Sequence, residues 1–201
     1  MTGKTIGKAK RIPPSAVRRN KSVLLGTGNR QIVSENITAD DREFILKQFS
    51  DREVTRYLFD TGPLSDISGA DEIIELFIQP EPRAQHRWIL VKKNNGAKIG
   101  TCGFHRWDRS NGRCELGYDL YPDHRGKGYM LEALKAICAF ARSNMKVKSI
   151  DARIYIDNEK SVKLAEKLGF TFNGLMIDEI FHGKAYPHKI LTLDCTIRRQ
   201  H

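Results

Sequence analysis

From Tyr118 to Tyr129 the chain reads Tyr-Asp-Leu-Tyr-Pro-Asp-His-Arg-Gly-Lys-Gly-Tyr, and these residue types at this spacing suit the holding of an anion. An extended run stops at Pro122. Two glycines, Gly126 and Gly128, then alternate with two bases, Arg125 and Lys127, and a helical pattern begins at once. The first amides of a helix have no preceding turn to bond to, and the helix dipole adds partial positive charge at the same end. Glycine lets the backbone come close to a phosphate, and the bases add charge. Two commoner phosphate motifs do not fit. A Walker A loop needs four residues between its glycines and Lys-Ser/Thr after them, and the dinucleotide fingerprint needs glycine where Leu131 stands. On its own, the segment could equally be a tight strand-to-helix turn.

The elements that must position this loop can be read from periodicity. Residues 30–37 predict a strand, and Thr38-Ala39-Asp40-Asp41 is a helix-start signal. Phe44, Ile45, Phe49, Val54, Tyr57 and Leu58 follow at roughly helical spacing, broken near Ser50-Asp51. A second helix is predicted over 71–78, ended by Pro80 and Pro82. Strands are predicted over 86–92 and 98–105, joined at Asn94-Asn95-Gly96. Another runs over 113–121, after the turn at Asn111-Gly112. A long helix over 128–143 places Met130, Leu131, Leu134, Ile137, Cys138 and Ala141 on one face. Residues 149–156 alternate as a half-buried strand. A short helix over 158–168 is closed by Gly169, and two last strands (175–181 and 190–197) flank a polar loop at His182-Gly183-Lys184. The order β-α-α-β-β-β-α-β-α-β-β predicts one α/β domain over 28–201.

Composition narrows the class. The 201 residues are 40% hydrophobic and 29% charged, and no window approaches a membrane span. A soluble, cytoplasmic protein is therefore expected. The 34 basic and 24 acidic residues leave a formal charge of +10. Lys4, Lys8, Lys10, Arg11, Arg18, Arg19 and Lys21 stand in residues 1–27 without an acid. That basic, disorder-like tail could contact RNA, a ribosome surface or another acidic partner, or could serve only as a solubilising extension. Cys102, Cys114, Cys138 and Cys195 form no C-x-x-C pair and are expected as buried thiols. The histidines show no ligand spacing, so no metal is expected. Trp88 and Trp107 are expected in the core or a pocket wall.

One combination is specific. Cys114-Glu115-Leu116-Gly117-Tyr118, then Arg125-Gly126-Lys127-Gly128-Tyr129 and Glu132-Ala133-Leu134, resembles the acetyl-CoA motif of the GNAT N-acetyltransferases. Asn158-Glu159-Lys160-Ser161 and Lys167-Leu168-Gly169-Phe170 resemble the second motif of that family, in order and spacing. The branch most similar includes the ribosomal-protein N-terminal acetyltransferases. The chain departs from the broader pattern at Asp123, where glutamine or arginine is frequent.

The resemblance implies a mixed, mostly antiparallel sheet of six to seven strands with splayed central strands and about four helices. It implies acetyl-CoA as co-substrate. Main-chain groups of Tyr118, Asp119 and Leu120 would pair with pantetheine, and amides of Arg125, Gly126, Lys127, Gly128, Tyr129 and Met130 would hold the pyrophosphate. Gly117 within a strand fits a bulge there. Asn158, a good N-cap by composition, would also contact pantetheine. Ser161 would stand near the sulfur as proton donor. Glu179 and Glu115 are the candidate general bases for deprotonating a primary amine that attacks the thioester directly. The acceptor pocket would draw on residues 59–70 and 180–188, with Glu115, Asp178 and Glu179 offering negative charge. A protein N-terminus, a polyamine or an aminoglycoside would all suit, in a monomer or homodimer. The other reading left open is a non-catalytic module that binds CoA or nucleic acid.

Overall fold

The computed structural model describes residues 31–59 and 62–196. The basic segment 1–27 lies outside the described residues. Among the described residues seven strands form: β1 (Ile32–Asn36), β2 (His86–Lys92), β3 (Lys98–Asp108), β4 (Arg113–Leu120), β5 (Ser149–Tyr155), β6 (Thr171–Phe181) and β7 (Lys184–Asp194). They make one sheet in the order β1-β2-β3-β4-β5-β7-β6, in which the β4–β5 pair alone is parallel. The helices are α1 (Arg42–Ser50), α2 (Arg52–Thr55), α3 (Ile67–Ile78), α4 (Tyr129–Ser143) and α5 (Glu159–Lys167).

Strand alternation gives the sheet two different faces. One face carries Trp88, Leu90, Cys102, Phe104, Cys114, Leu116, Ile150, Ala152 and Leu191. Against it lies the apolar stripe of α4, from Met130 through Leu134, Ile137, Cys138 and Ala141. Ala165 of α5 and Phe170 complete this core. On the opposite face α1 and α3 bury Ile45, Phe49, Ile74 and Phe77 against Ile89 and Val91 of β2. Further along that second face, toward β5 and β7, the strands present charged and aromatic side chains instead. All four cysteines are buried thiols, Trp88 is core, and Trp107 packs against the same cluster.

Several boundaries differ from the periodicity. The break expected near Ser50-Asp51 divides the first helical stretch in two, which makes five α-helices among the described residues: the Asp51 carboxylate caps α2 by accepting from the Glu53 and Val54 amides. Helix α3 starts four residues early, because the Asp66 carboxylate caps it through the Ser68 and Gly69 amides despite a glycine in the first turn. Strand β6 starts at Thr171, not 175. A register shift between Phe172 and Met176, with Gly174 at φ 86°, hides the alternation. The expected polar loop at 182–184 is a two-residue turn, with His182 at φ 48° and Gly183 at φ 74°, and β7 resumes at Lys184.

Candidate active site

The parallel pair β4–β5 is joined over a short stretch only. Arg113, Cys114 and Glu115 register with Ser149, Ile150 and Asp151, and the pairing stops there. Both strands continue, β4 through Leu120 and β5 through Tyr155. Their carboxyl ends therefore diverge, and main-chain groups of β4 beyond Glu115 face a gap with no strand partner among the described residues. On the α4 side the gap is bridged by one side chain: the Tyr118 hydroxyl donates to the Ser161 carbonyl at 3.2 Å. Burial pushes the Tyr118 phenol up to about 12, so it is a neutral donor at any working pH. Asn158 caps α5, its Oδ1 accepting from the Ser161 amide at 3.3 Å.

The loop ends at α4. The first helical bond runs from the Glu132 amide to the Gly128 carbonyl, so the amides from Tyr129 to Leu131 have no helical partner behind them. Gly126 and Gly128 both adopt left-handed backbone, at φ 73° and 81°, and a Cβ on either would meet nothing within 4 Å. The backbone alone thus calls for glycine, and the space beside it is open. Tyr129 and Met130 turn their side chains into the core, so they can offer a ligand main-chain amides only. Lys127 is exposed. Arg125 is committed elsewhere: Nε donates to the Leu120 carbonyl at 3.0 Å and Nη2 to the Glu53 carbonyl at 2.8 Å. It is a strut that ties the loop to α2, and it already occupies the Leu120 oxygen.

Strand β4 is anchored from the second face. The buried Asp119 carboxylate accepts from Gln48, from Arg87 and, at 2.6 Å, from the Thr101 hydroxyl. The Arg87 guanidinium lies 5.4 and 5.5 Å from the Phe49 and Phe77 rings. A buried ion pair persists only when its remaining donors and acceptors are also engaged, as here. His105 sits beside it, its Nε2 3.4 Å from Arg87 Nη1. Burial, then the Arg87 and Arg106 charges, push this imidazole down to about 3, so it is neutral. A Cβ at Gly117 would lie 2.9 Å from His105 Nε2. That close ring is why glycine stands there; the pairing Gly103–Gly117 is regular, and the irregularity in this ladder lies between His105 and Asp108. The expected bulge at Gly117 is therefore absent.

Glu115 and Glu179 come together on this second face through one guanidinium. Arg153 Nε lies 3.0 Å from Glu115 Oε2, and Arg153 Nη1 donates to Glu179 Oε1 at 2.9 Å. Glu115 also accepts from Arg106 at 3.0 Å. Asp178 is exposed and alternates to the other face, away from this cluster. One rung above Arg153 stands Tyr155, within an aromatic group that sequence reasoning did not assemble. Phe59 stacks on Tyr186 with centroids 4.0 Å apart, and lies 5.0 Å from Tyr155 and 5.4 Å from His188. His188 Nδ1 donates to the Tyr186 carbonyl at 2.7 Å. The residues that make this wall come from a loop and two strands distant in sequence. Their one local sign was the concentration of Tyr155, Phe181, Tyr186 and His188 at the ends of adjacent strands.

The family model for the acetyltransferase (GNAT) domain matches residues 32–171. The chain belongs to the GNAT acetyltransferases. This acetyltransferase is 34% identical over 140 residues to an uncharacterised N-acetyltransferase, p20, of Bacillus licheniformis, covering 69% of the chain and 78% of that protein. Over 88 residues it is 28% identical to the ribosomal-protein-serine acetyltransferase of Escherichia coli, covering 44% of the chain and 49% of that protein. In fold it is similar to the spermidine N-acetyltransferase of Vibrio cholerae, solved in complex with CoA and spermine. The TM-score there is 0.73 at 19% identity, over 83% of this chain and 96% of that one. The mixed sheet, the parted β4–β5 pair and the glycine loop thus stand in an enzyme that moves an acetyl group to an amine, with acetyl-CoA as co-substrate. The open gap and the unpartnered α4 amides fit an extended, phosphate-bearing group. Among the described residues no cluster of His, Cys, Asp or Glu could hold a metal ion, and no helix is long and apolar enough to cross a membrane.

Proposed function

We infer that this enzyme acetylates a primary amine that enters from the second face of the sheet and meets the acetyl group at the apex of the β4–β5 gap. The observation that carries the reading is the end of β4–β5 pairing at Glu115–Asp151, directly beside the Glu115–Arg153–Glu179 cluster. Acetyl-CoA supplies an activated thioester. The amides of Gly126, Lys127, Gly128, Tyr129 and Met130 hold phosphate oxygens at the start of α4, where the helix dipole favours negative charge. Main-chain groups of Tyr118, Asp119 and Leu120 line the gap, and β4 keeps its place through the Asp119 network. Asn158 and Ser161 close the helical side of the gap, where Ser161 can give a proton to a departing sulfur. On the other side Glu115 and Glu179 lie within reach of an incoming ammonium, directly or through water. Because both already hold Arg153, proton removal shares that cluster and not a lone carboxylate. The finer choice, protein N-terminus or small amine, turns on the charge of this cleft.

The test is titration of the full chain with acetyl-CoA by calorimetry, followed by CoA release over a panel of amines. Micromolar binding with release on at least one amine is the expected result. A folded protein that neither binds acetyl-CoA nor releases CoA with any amine would overturn the reading.

A further inference from the structure

Resting on that site, we propose that the acceptor is an amine with a single positive charge carried on an apolar or aromatic body, and that Arg153 sets this preference by cancelling the carboxylates of the cleft. Where the strands part, the charges of the chain are closely matched. Glu115 is matched by Arg153 and Arg106, each at 3.0 Å. Glu179 is matched by Arg153 at 2.9 Å, and Asp151 by Arg113 at 2.8 Å. Lys184 adds a fourth cation, its Nζ 5.2 Å from the centre of the Tyr186 ring. Asp178, which would have deepened the negative charge, faces the other way. Among the described residues Glu115, Glu179 and Asp151 are thus each paired with a guanidinium of the chain, while the Asp157 carboxylate accepts from the Tyr155 hydroxyl, so four acids face four cations.

A polycation gains little in such a place. Beyond Asp157, a further ammonium must take a carboxylate from a guanidinium, which then stays nearby as a like charge. The aromatic wall gives no substitute, because the Tyr186 ring is already covered by Phe59 on stacking and approached by Lys184. What Phe59 and Tyr155 do offer is apolar surface for the body of a monoamine. One neutralised ammonium, losing its proton as it reacts, suits a cleft with no net negative charge to stabilise a second.

The experiment compares kcat/KM for 2-phenylethylamine and for spermidine at saturating acetyl-CoA. The wild-type chain should favour the monoamine. Arg153→Met uncovers Glu179 and half of Glu115, and should move the ratio toward spermidine by about tenfold, the order expected for losing one closely paired charge. Arg106→Gln, at an exposed position that should not endanger folding, should move it the same way by about threefold. Spermidine preferred by the wild type would overturn the inference. So would a ratio unchanged in Arg106→Gln and in a folded Arg153→Met. Calorimetric titration with acetyl-CoA, run in parallel, separates the layers. Binding with a spermidine preference overturns this inference alone, whereas no binding and no release with either amine overturns the transfer reading as well.

Discussion

Replacing Gly126 or Gly128 by alanine asks whether the loop before α4 holds phosphate or merely turns the chain. Both residues are left-handed, at φ 73° and 81°, and a Cβ at either site meets nothing within 4 Å. No clash arises within the chain, so the folding cost is backbone strain alone, about 1–2 kcal/mol for an L-residue in that region. In a chain of this size each kcal/mol lowers Tm by about 2–4 °C, so a loss of a few degrees is expected. The methyl would stand where the backbone is otherwise bare, and would hold phosphate oxygens off the α4 amides. Losing one charge-assisted hydrogen bond costs about 1.5–3 kcal/mol, which at about 1.4 kcal/mol per decade weakens acetyl-CoA binding roughly 10- to 100-fold. Gly96→Ala is the control. Gly96 is also left-handed, at φ 69° with nothing within 4 Å, but lies in the β2–β3 turn. It should lose the same few degrees and bind acetyl-CoA as the wild type does. The assay is thermal unfolding together with calorimetric titration of each variant. If Gly126→Ala and Gly128→Ala behave like Gly96→Ala, with lower Tm and unchanged affinity, the loop is a turn and the phosphate assignment is wrong.

Two further predictions concern buried groups. His105 is held at about 3 in the folded chain by burial and by Arg87 and Arg106, against about 6.5 when unfolded. The unfolded chain therefore takes up a proton that the native one refuses. Stability is full above the unfolded value and falls as pH drops from there toward the folded one. The decline in Tm between pH 7.5 and pH 5 should be shallower in His105→Gln, and equal declines would refute the assignment. Burial also raises the thiols, Cys138 up to about 12 and Cys102 and Cys114 further. The native protein should resist a thiol-titrating disulfide reagent at pH 8 and react at all four cysteines once unfolded. Fast reaction of any of the first three in native buffer would contradict their burial.

Local rules carried far in this chain. The 3.6 spacing from Met130 to Ala141 set which face of α4 is buried, because that spacing leaves one stripe to bury. The Gly126–Gly128 loop and the cap at Asn158 were legible for a similar reason: each depends on backbone geometry within a few residues. The misread boundaries at Asp66 and Gly174 also have local causes, a side-chain cap and a bulge, but these compete with propensity and lose to it on paper.

The site itself divides along the same line. The sequence by itself determined the elements, the glycine loop and the list of carboxylates near the right strands, since those follow from short-range stereochemistry and composition. Only the tertiary structure decided what those carboxylates do. It put Arg153 between Glu115 and Glu179, turned Asp178 away, drew Arg125 off to two carbonyl oxygens, and brought Phe59 onto Tyr186. Strand register across β4, β5, β7 and β6 chooses such partners, and register is set by the packing of the whole sheet. A charge read from sequence has a position along the chain; the neighbour that neutralises it is a property of the fold.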